Sequence, residues 1–148
     1  MDAPNEADIT LAGLSICVDQ YQYPDSTEYW DANWLSVRIH CIGQNATVNL
    51  SRSCVHVPEL ASWLESCVSL NEGHANEATL PTMEPYLQVT ISHSRKFKGL
   101  VAIVKLSPDN VSQFHEFRFP IDQSHIPRLI LDLRKTLSRF PIRALNMR

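Results

Sequence analysis

Apolar and polar residues alternate along most of six separate stretches of this chain. Leu14, Ile16 and Val18 alternate with Ser15, Cys17 and Asp19. Leu35, Val37, Ile39 and Cys41 alternate with Ser36, Arg38 and His40, and Ala46, Val48 and Leu50 with Thr47, Asn49 and Ser51. A period of two marks a strand with one buried face. Gly43-Gln44-Asn45 turns the second run back onto the third, as in a hairpin. Leu87, Val89 and Ile91 then alternate with Gln88, Thr90 and Ser92, and Leu100 to Leu106 is nearly all apolar, which reads as a central strand. Phe117, Phe119 and Ile121 alternate with Glu116, Arg118 and Pro120. Pro120 suits an edge or a strand end, because it has no N–H to give a ladder.

Two stretches switch to helical spacing. Pro58 opens the first, where a fixed φ and a missing N–H do no harm. Leu60, Trp63, Leu64 and Cys67 form its apolar side, with Glu59, Ser62, Glu65 and Ser66 facing away, and Asn71-Glu72-Gly73 stops it. Asp122 and Ser124 are good helix caps ahead of the stripe Ile126, Leu129, Ile130, Leu133, Leu137 and Phe140, which Pro141 ends. The segments 20–33 and 71–85 carry Pro24, Asp25 and Asn33, and Gly73, Pro81 and Pro85, and read as loops. The expected fold is α+β: a mainly antiparallel sheet of about six strands with two amphipathic helices on one face, in the order βββα-βββα. The two halves show no shared sequence repeat.

A length of 148 residues predicts one domain, 1–148, with the polar residues 1–8 frayed. Net charge is −3, too small to draw the chain to nucleic acid or membrane by bulk charge. Charge is unevenly placed, however. Residues 1–33 carry Asp2, Glu6, Asp8, Asp19, Asp25, Glu28 and Asp31 and no Lys or Arg, whereas residues 124–148 carry Arg128, Arg134, Lys135, Arg139, Arg143 and Arg148 against Asp132. The two ends should attract one another. No basic-then-apolar leader opens the chain and no apolar run is long enough for a membrane helix, so the expected location is the cytoplasm. Cys17, Cys41, Cys54 and Cys67 are far apart and read as small buried hydrophobes in a reducing compartment.

The residues that could carry chemistry are few. Cys54-x-His56, with His40 on the neighbouring strand, is the best metal candidate, but the second ligand pair of a zinc site is missing, so no metal is expected. Four glycines leave no phosphate-cradling loop, and no G-x-S-x-G or glycine-rich cysteine elbow supplies a nucleophile. No cofactor and no catalytic residue are expected. The basic turn Arg95-Lys96-Phe97-Lys98 reads as edge protection rather than as a nucleic-acid contact.

Four segments carry a resemblance. They are Tyr29-Trp30-Asp31-Ala32-Asn33-Trp34-Leu35, Met83-Glu84-Pro85-Tyr86-Leu87, the run Phe117 to Ser124 with Ile121-Asp122-Gln123-Ser124 at its end, and Leu137-Ser138-Arg139-Phe140-Pro141. Together they resemble the WapI-like family of small bacterial immunity proteins, encoded beside large secreted or contact-dependent toxins. The family pattern leads one to expect Gly where Ala32 stands and an aromatic residue where His125 stands. The resemblance implies a non-enzymatic protein that binds and neutralises a cognate toxin domain. It makes Asn33, Trp34, Asp122 and Gln123 fold-defining. The alternative is a small cytosolic binding or regulatory module for another ligand. Trp34 falls in phase with Ser36 and His40, opposite the apolar face, and Trp30 shares its parity. Asp25, Glu28 and Asp31 surround the pair with negative charge. Asp25, Glu28, Trp30 and Asp31 are therefore the candidate partner contacts, suited to a toxin surface rich in Lys and Arg.

Overall fold

The structure, a computed structural model, describes residues 6–143. Eight strands and three helices follow one another in it. β1 (Ile9–Leu11), β2 (Leu14–Tyr21), β3 (Trp34–Ile42) and β4 (Thr47–His56) form one antiparallel sheet in sequential order, with the short helix α1 (Tyr29–Ala32) between β2 and β3. Helix α2 (Val57–Asn71) follows. β5 (Glu77–Leu80), β6 (Leu87–Ser94), β7 (Gly99–Leu106) and β8 (His115–Ile121) form a second sheet, again in sequential order, and α3 (His125–Arg139) follows. The α+β class and the antiparallel pairing agree with the sequence expectation. The one sheet of about six strands is instead two sheets of four; the two added strands, β1 and the edge strand β5, are only three and four residues long. β5 falls inside the stretch 71–85 expected to be irregular.

Each half is therefore four strands and a long helix, with the short α1 added in the first, although no repeat shows in the residues. The ladders correspond at the β2–β3 and β6–β7 ends, although only the first sheet carries register shifts, at Val18/Gln20 and Leu35/Val37. The Ile42 N–H donates to the Gly13 carbonyl and, at the corresponding place, the Ser107 N–H donates to that of Tyr86, both at 3.0 Å. Neither helix rests chiefly on its own sheet. α2 lies along β5, α3 lies along β1, and the two helices pack on each other. The helices thus cover the first strand of each opposite sheet rather than one face of a common sheet, and lock the halves together. A single buried cluster joins Leu14, Ile39, Leu60, Trp63, Val89, Leu106, Leu129 and Leu133 from both sheets and both long helices. The stripe of α3 faces it as expected, with Leu133 fully buried and Leu137 partly so.

Two turns show why the sheets can meet closely. A Cβ on Gly13 would clash with the Ile42 oxygen and stand 2.9 Å from the Phe119 ring, and one on Gly43 would stand 2.7 Å from the Phe117 ring. The β1–β2 and β3–β4 turns are thus tucked under two aromatic rings of β8. Ala32 lies in α1, fully buried, and is not among the residues with positive φ, so the position needs no glycine. The termini attract as charge predicts: Arg139 pairs with Asp8, which also accepts the Val18 N–H at 2.7 Å. Residues 1–5 of the segment expected to fray lie outside the described residues.

Candidate functional site

The loop between β2 and β3 carries the candidate residues, and it is braced from both sides. Glu28 caps α1, its two carboxylate oxygens accepting the N–H groups of Trp30 (3.1 Å) and Asp31 (3.0 Å). Behind the helix, fully buried Asn33 donates to the carbonyls of Tyr29 (2.8 Å) and Arg143 (3.0 Å) and accepts the Arg143 N–H (2.8 Å). The Arg143 guanidinium donates to the carbonyls of Ala32, Pro24 and Tyr23 and lies 3.9 Å from the Tyr21 ring centre. The Tyr21 hydroxyl donates to Pro141 at 2.6 Å. Burial raises that phenol's pKa, and the Arg143 charge works against the rise. The C-terminal segment thus holds the loop through its backbone carbonyls and leaves its acidic side chains to solvent.

Trp34 and Trp30 take unlike places. Trp34 stands opposite His56 in the β3–β4 ladder and is buried, its ring 4.7 Å from the imidazole and 5.5 Å from Trp30. Trp30 covers it and remains 42% exposed. The His56 ring is 4.6 Å from Trp30, and its Nε2–H donates to the Trp30 carbonyl at 2.8 Å, which sets the proton on that nitrogen. Asp25, Glu28 and Asp31 are exposed and make no ion pair among the described residues. An open groove of about 270 Å³ runs beside Trp30, between Tyr29, the start of α2 and the segment holding Pro81 and Met83. Its volume falls below the ~300–1,000 Å³ usual for small-molecule sites.

The groove also holds what the sequence pattern hides. Glu59, expected to face away, is buried. One oxygen accepts the His56 N–H and the other the Met83 N–H, both at 2.8 Å, so it ties the helix start to the β5–β6 connection. Burial raises its pKa, against the pull of those N–H bonds. Met83 itself is 69% exposed. A glutamate three residues after a cap position signals such a reach-back bond, but His56 is an unusual cap and conceals it. Nothing in the sequence pattern marks Arg143.

Asn33, Trp34, Glu28, Trp30 and Asp31 come together at α1, with Asp25 on the same loop. Asp122 and Gln123 do not join them. Gln123 donates to Asn71 at 3.2 Å, at the far end of α2, and Asp122 accepts the Ser124 N–H at 2.8 Å. The first bond ties the start of α3 to the end of α2, and the second is local to the start of α3. His125 is part-exposed beside Asp122. The metal candidates are otherwise engaged. His56 bonds Trp30, His40 bonds Asn49, and no group of three or more His, Cys, Asp or Glu among the described residues is placed to hold an ion. All four cysteines are buried and free, and burial pushes the thiols of Cys41, Cys54 and Cys67 up to about 12. They are poor nucleophiles, because the thiolate is the reactive form. No helix among the described residues is long and apolar enough to cross a membrane.

Fold and site define a small α+β protein with an exposed tryptophan on a braced acidic loop. Residues 7–141 match the model of the immunity protein WapI-like family, and the chain belongs to that family. Immunity proteins act on a toxin partner, so the family implies one in general terms. No curated protein and no solved structure matches the chain.

Proposed function

We propose that this protein binds and neutralises a cognate bacterial toxin domain in the cytoplasm of the producing cell, without catalysing a reaction. The observation that carries this reading is the α1 loop. A large aromatic side chain is held half out of the protein by bonds that leave Asp25 and Asp31 unpaired. Tryptophan is enriched among residues that anchor interfaces, and an acidic rim speeds encounter with a basic partner. Of the expected contacts, Trp30, Asp25 and Asp31 are the ones this reading assigns to the toxin, since their side chains are exposed. Glu28 contributes its charge, but its oxygens are committed to the helix cap.

The test uses the toxin domain encoded beside this chain. Expressed alone it should arrest growth, and co-expression of this protein should restore growth through a purifiable complex. An Asp25→Lys/Asp31→Lys variant, which leaves the Glu28 cap intact, should associate more slowly and lose most of its dependence on salt. Failure of the unaltered protein either to rescue growth or to bind the domain would refute the reading.

A further inference from the structure

The two halves follow one path, so their connections can be compared pair by pair. In the first half β1 and β2 are joined by 12–13 and β3 and β4 by 43–46; the corresponding connections in the second half are the longer 81–86 and 107–114. The relation is reversed once. The β2–β3 connection, 22–33 with α1, is longer than its counterpart, the basic turn 95–98. Three connections are thus extended relative to their partners, and they belong to different halves.

All three lie next to one another. Trp30 of the first and Met83 of the second line the same groove, and Glu59 bonds the Met83 N–H. Pro85 of the second and Phe114 of the third line another groove of about 330 Å³, together with Lys105 and Glu116. The Arg52 guanidinium lies 4.1 Å from the ring centre of Tyr86, at the end of the second connection. The Val111 N–H, and Arg52 more weakly, keep the Asp109 carboxyl below the usual range. Trp30, Met83, Val111 and Phe114 are 42, 69, 83 and 72% exposed. The acids of these connections are Asp25, Glu28, Asp31, Glu84 and Asp109, and within them no Lys or Arg occurs. By contrast, the short turns 12–13 and 43–46 are tucked under Phe119 and Phe117. The second connection thus lines both grooves, and the three connections carry exposed apolar side chains and only acidic charge, with Arg52 and Lys105 of the neighbouring strands beside them.

We infer that the toxin contact extends from Trp30 across Met83 to Phe114, and that it receives a basic toxin face with an apolar ridge. This rests on the function proposed above and enlarges its contact from one loop to three. Exposed apolar side chains in a contiguous band mark an interface, and the acidic margin selects the sign of the partner.

The experiment measures affinity for the same neighbouring toxin domain. Phe114→Asp and Met83→Ala should each weaken binding by about tenfold or more, as loss of an anchor does. Lys96→Glu, on the opposed short turn, should change it by less than about twofold. Unchanged melting temperatures would show that the variants fold. If the unaltered protein binds the toxin and Phe114→Asp binds equally well, the three-loop surface is overturned while the function stands. If the unaltered protein is a dimer that Phe114→Asp dissociates with no loss of toxin affinity, the surface pairs two copies of this chain and the inference also falls. If the unaltered protein does not bind, the underlying function fails as well.

Discussion

In each half the fourth strand delivers the chain to a helix, β4 to α2 directly after His56 and β8 to α3 across 122–124. Both junctions use a carboxylate to accept backbone N–H groups, yet they sit in opposite surroundings. Glu59 is 7% exposed and bridges its own helix start to Met83, 24 residues on. Asp122 is exposed and serves only its neighbours, accepting the Ser124 N–H and hydroxyl. Burial raises the pKa of Glu59, whereas the hydroxyl and N–H of Ser124 lower that of Asp122. The same device therefore stores its effect in different ways. At α3 it starts a helix. At α2 it fixes the position of a connection that the proposed contact surface depends on.

The largest separation of the two should come from deletion. Glu59→Ala leaves the buried His56 N–H and the part-buried Met83 N–H without an acceptor; at about 1–3 kcal/mol for a buried unsatisfied group and less for one that water can reach, a loss of about 2–4 kcal/mol is expected in denaturant unfolding. Met83 should also become a site of early proteolysis, since its tether is gone. A loss below about 1 kcal/mol would show that water satisfies both N–H groups and that the bridge holds nothing.

Asp122→Ala should cost less. Its partners are solvent-exposed and keep access to water, so the loss reflects only a weakened helix start. A fall in melting temperature as large as that of Glu59→Ala would erase the contrast between the junctions. Gln123, whose side chain reaches Asn71, would then be the residue to examine at α3.

The difference between the junctions also explains what could be read from sequence. Asp122 and Ser124 are local signals, because a cap acts on the next two or three residues. Glu59 acts on a residue whose nearness only the tertiary fold creates, and helical spacing alone set it on the outer side. Similarly, the six longer strands and the stripe of α3 were legible because burial repeats along them. β1, β5 and α1 were not, since three or four residues hold no full period of any pattern. The repeat of the two halves stayed hidden for another reason. Corresponding places carry different residues, Gly13 against Tyr86 in the turns, and Arg52 opposite Val37 against Phe119 opposite Ala102 in the ladders. At the α1 site the acidic loop and the phase of Trp34 were legible. The burial of Trp34 beneath Trp30 and the brace from Arg143 were not, because both depend on residues distant in the chain.

The smallest effect is the dependence on pH, and its sign differs between the junctions. Glu59 titrates above its ordinary value of 4.5 when folded, so the folded protein holds that proton where the unfolded chain has lost it. Stability from this group is fully present below about 4.5 and is lost as pH rises through the folded value. Asp122 titrates below its ordinary 3.8, so the folded protein gives up its proton more readily. Its stabilisation is present above about 3.8 and is lost as pH falls through the folded value. Glu59→Gln and Asp122→Asn remove one titration each. Unfolding free energies of both variants and the parent, measured from about pH 3 to 7, isolate the two contributions. The parent-minus-Glu59→Gln difference should shrink as pH rises above about 4.5, and the parent-minus-Asp122→Asn difference should shrink as pH falls below about 3.8. Two differences of the same slope would mean that Glu59 is as well solvated as Asp122, and the bridge to Met83 would then be a surface contact rather than a buried one.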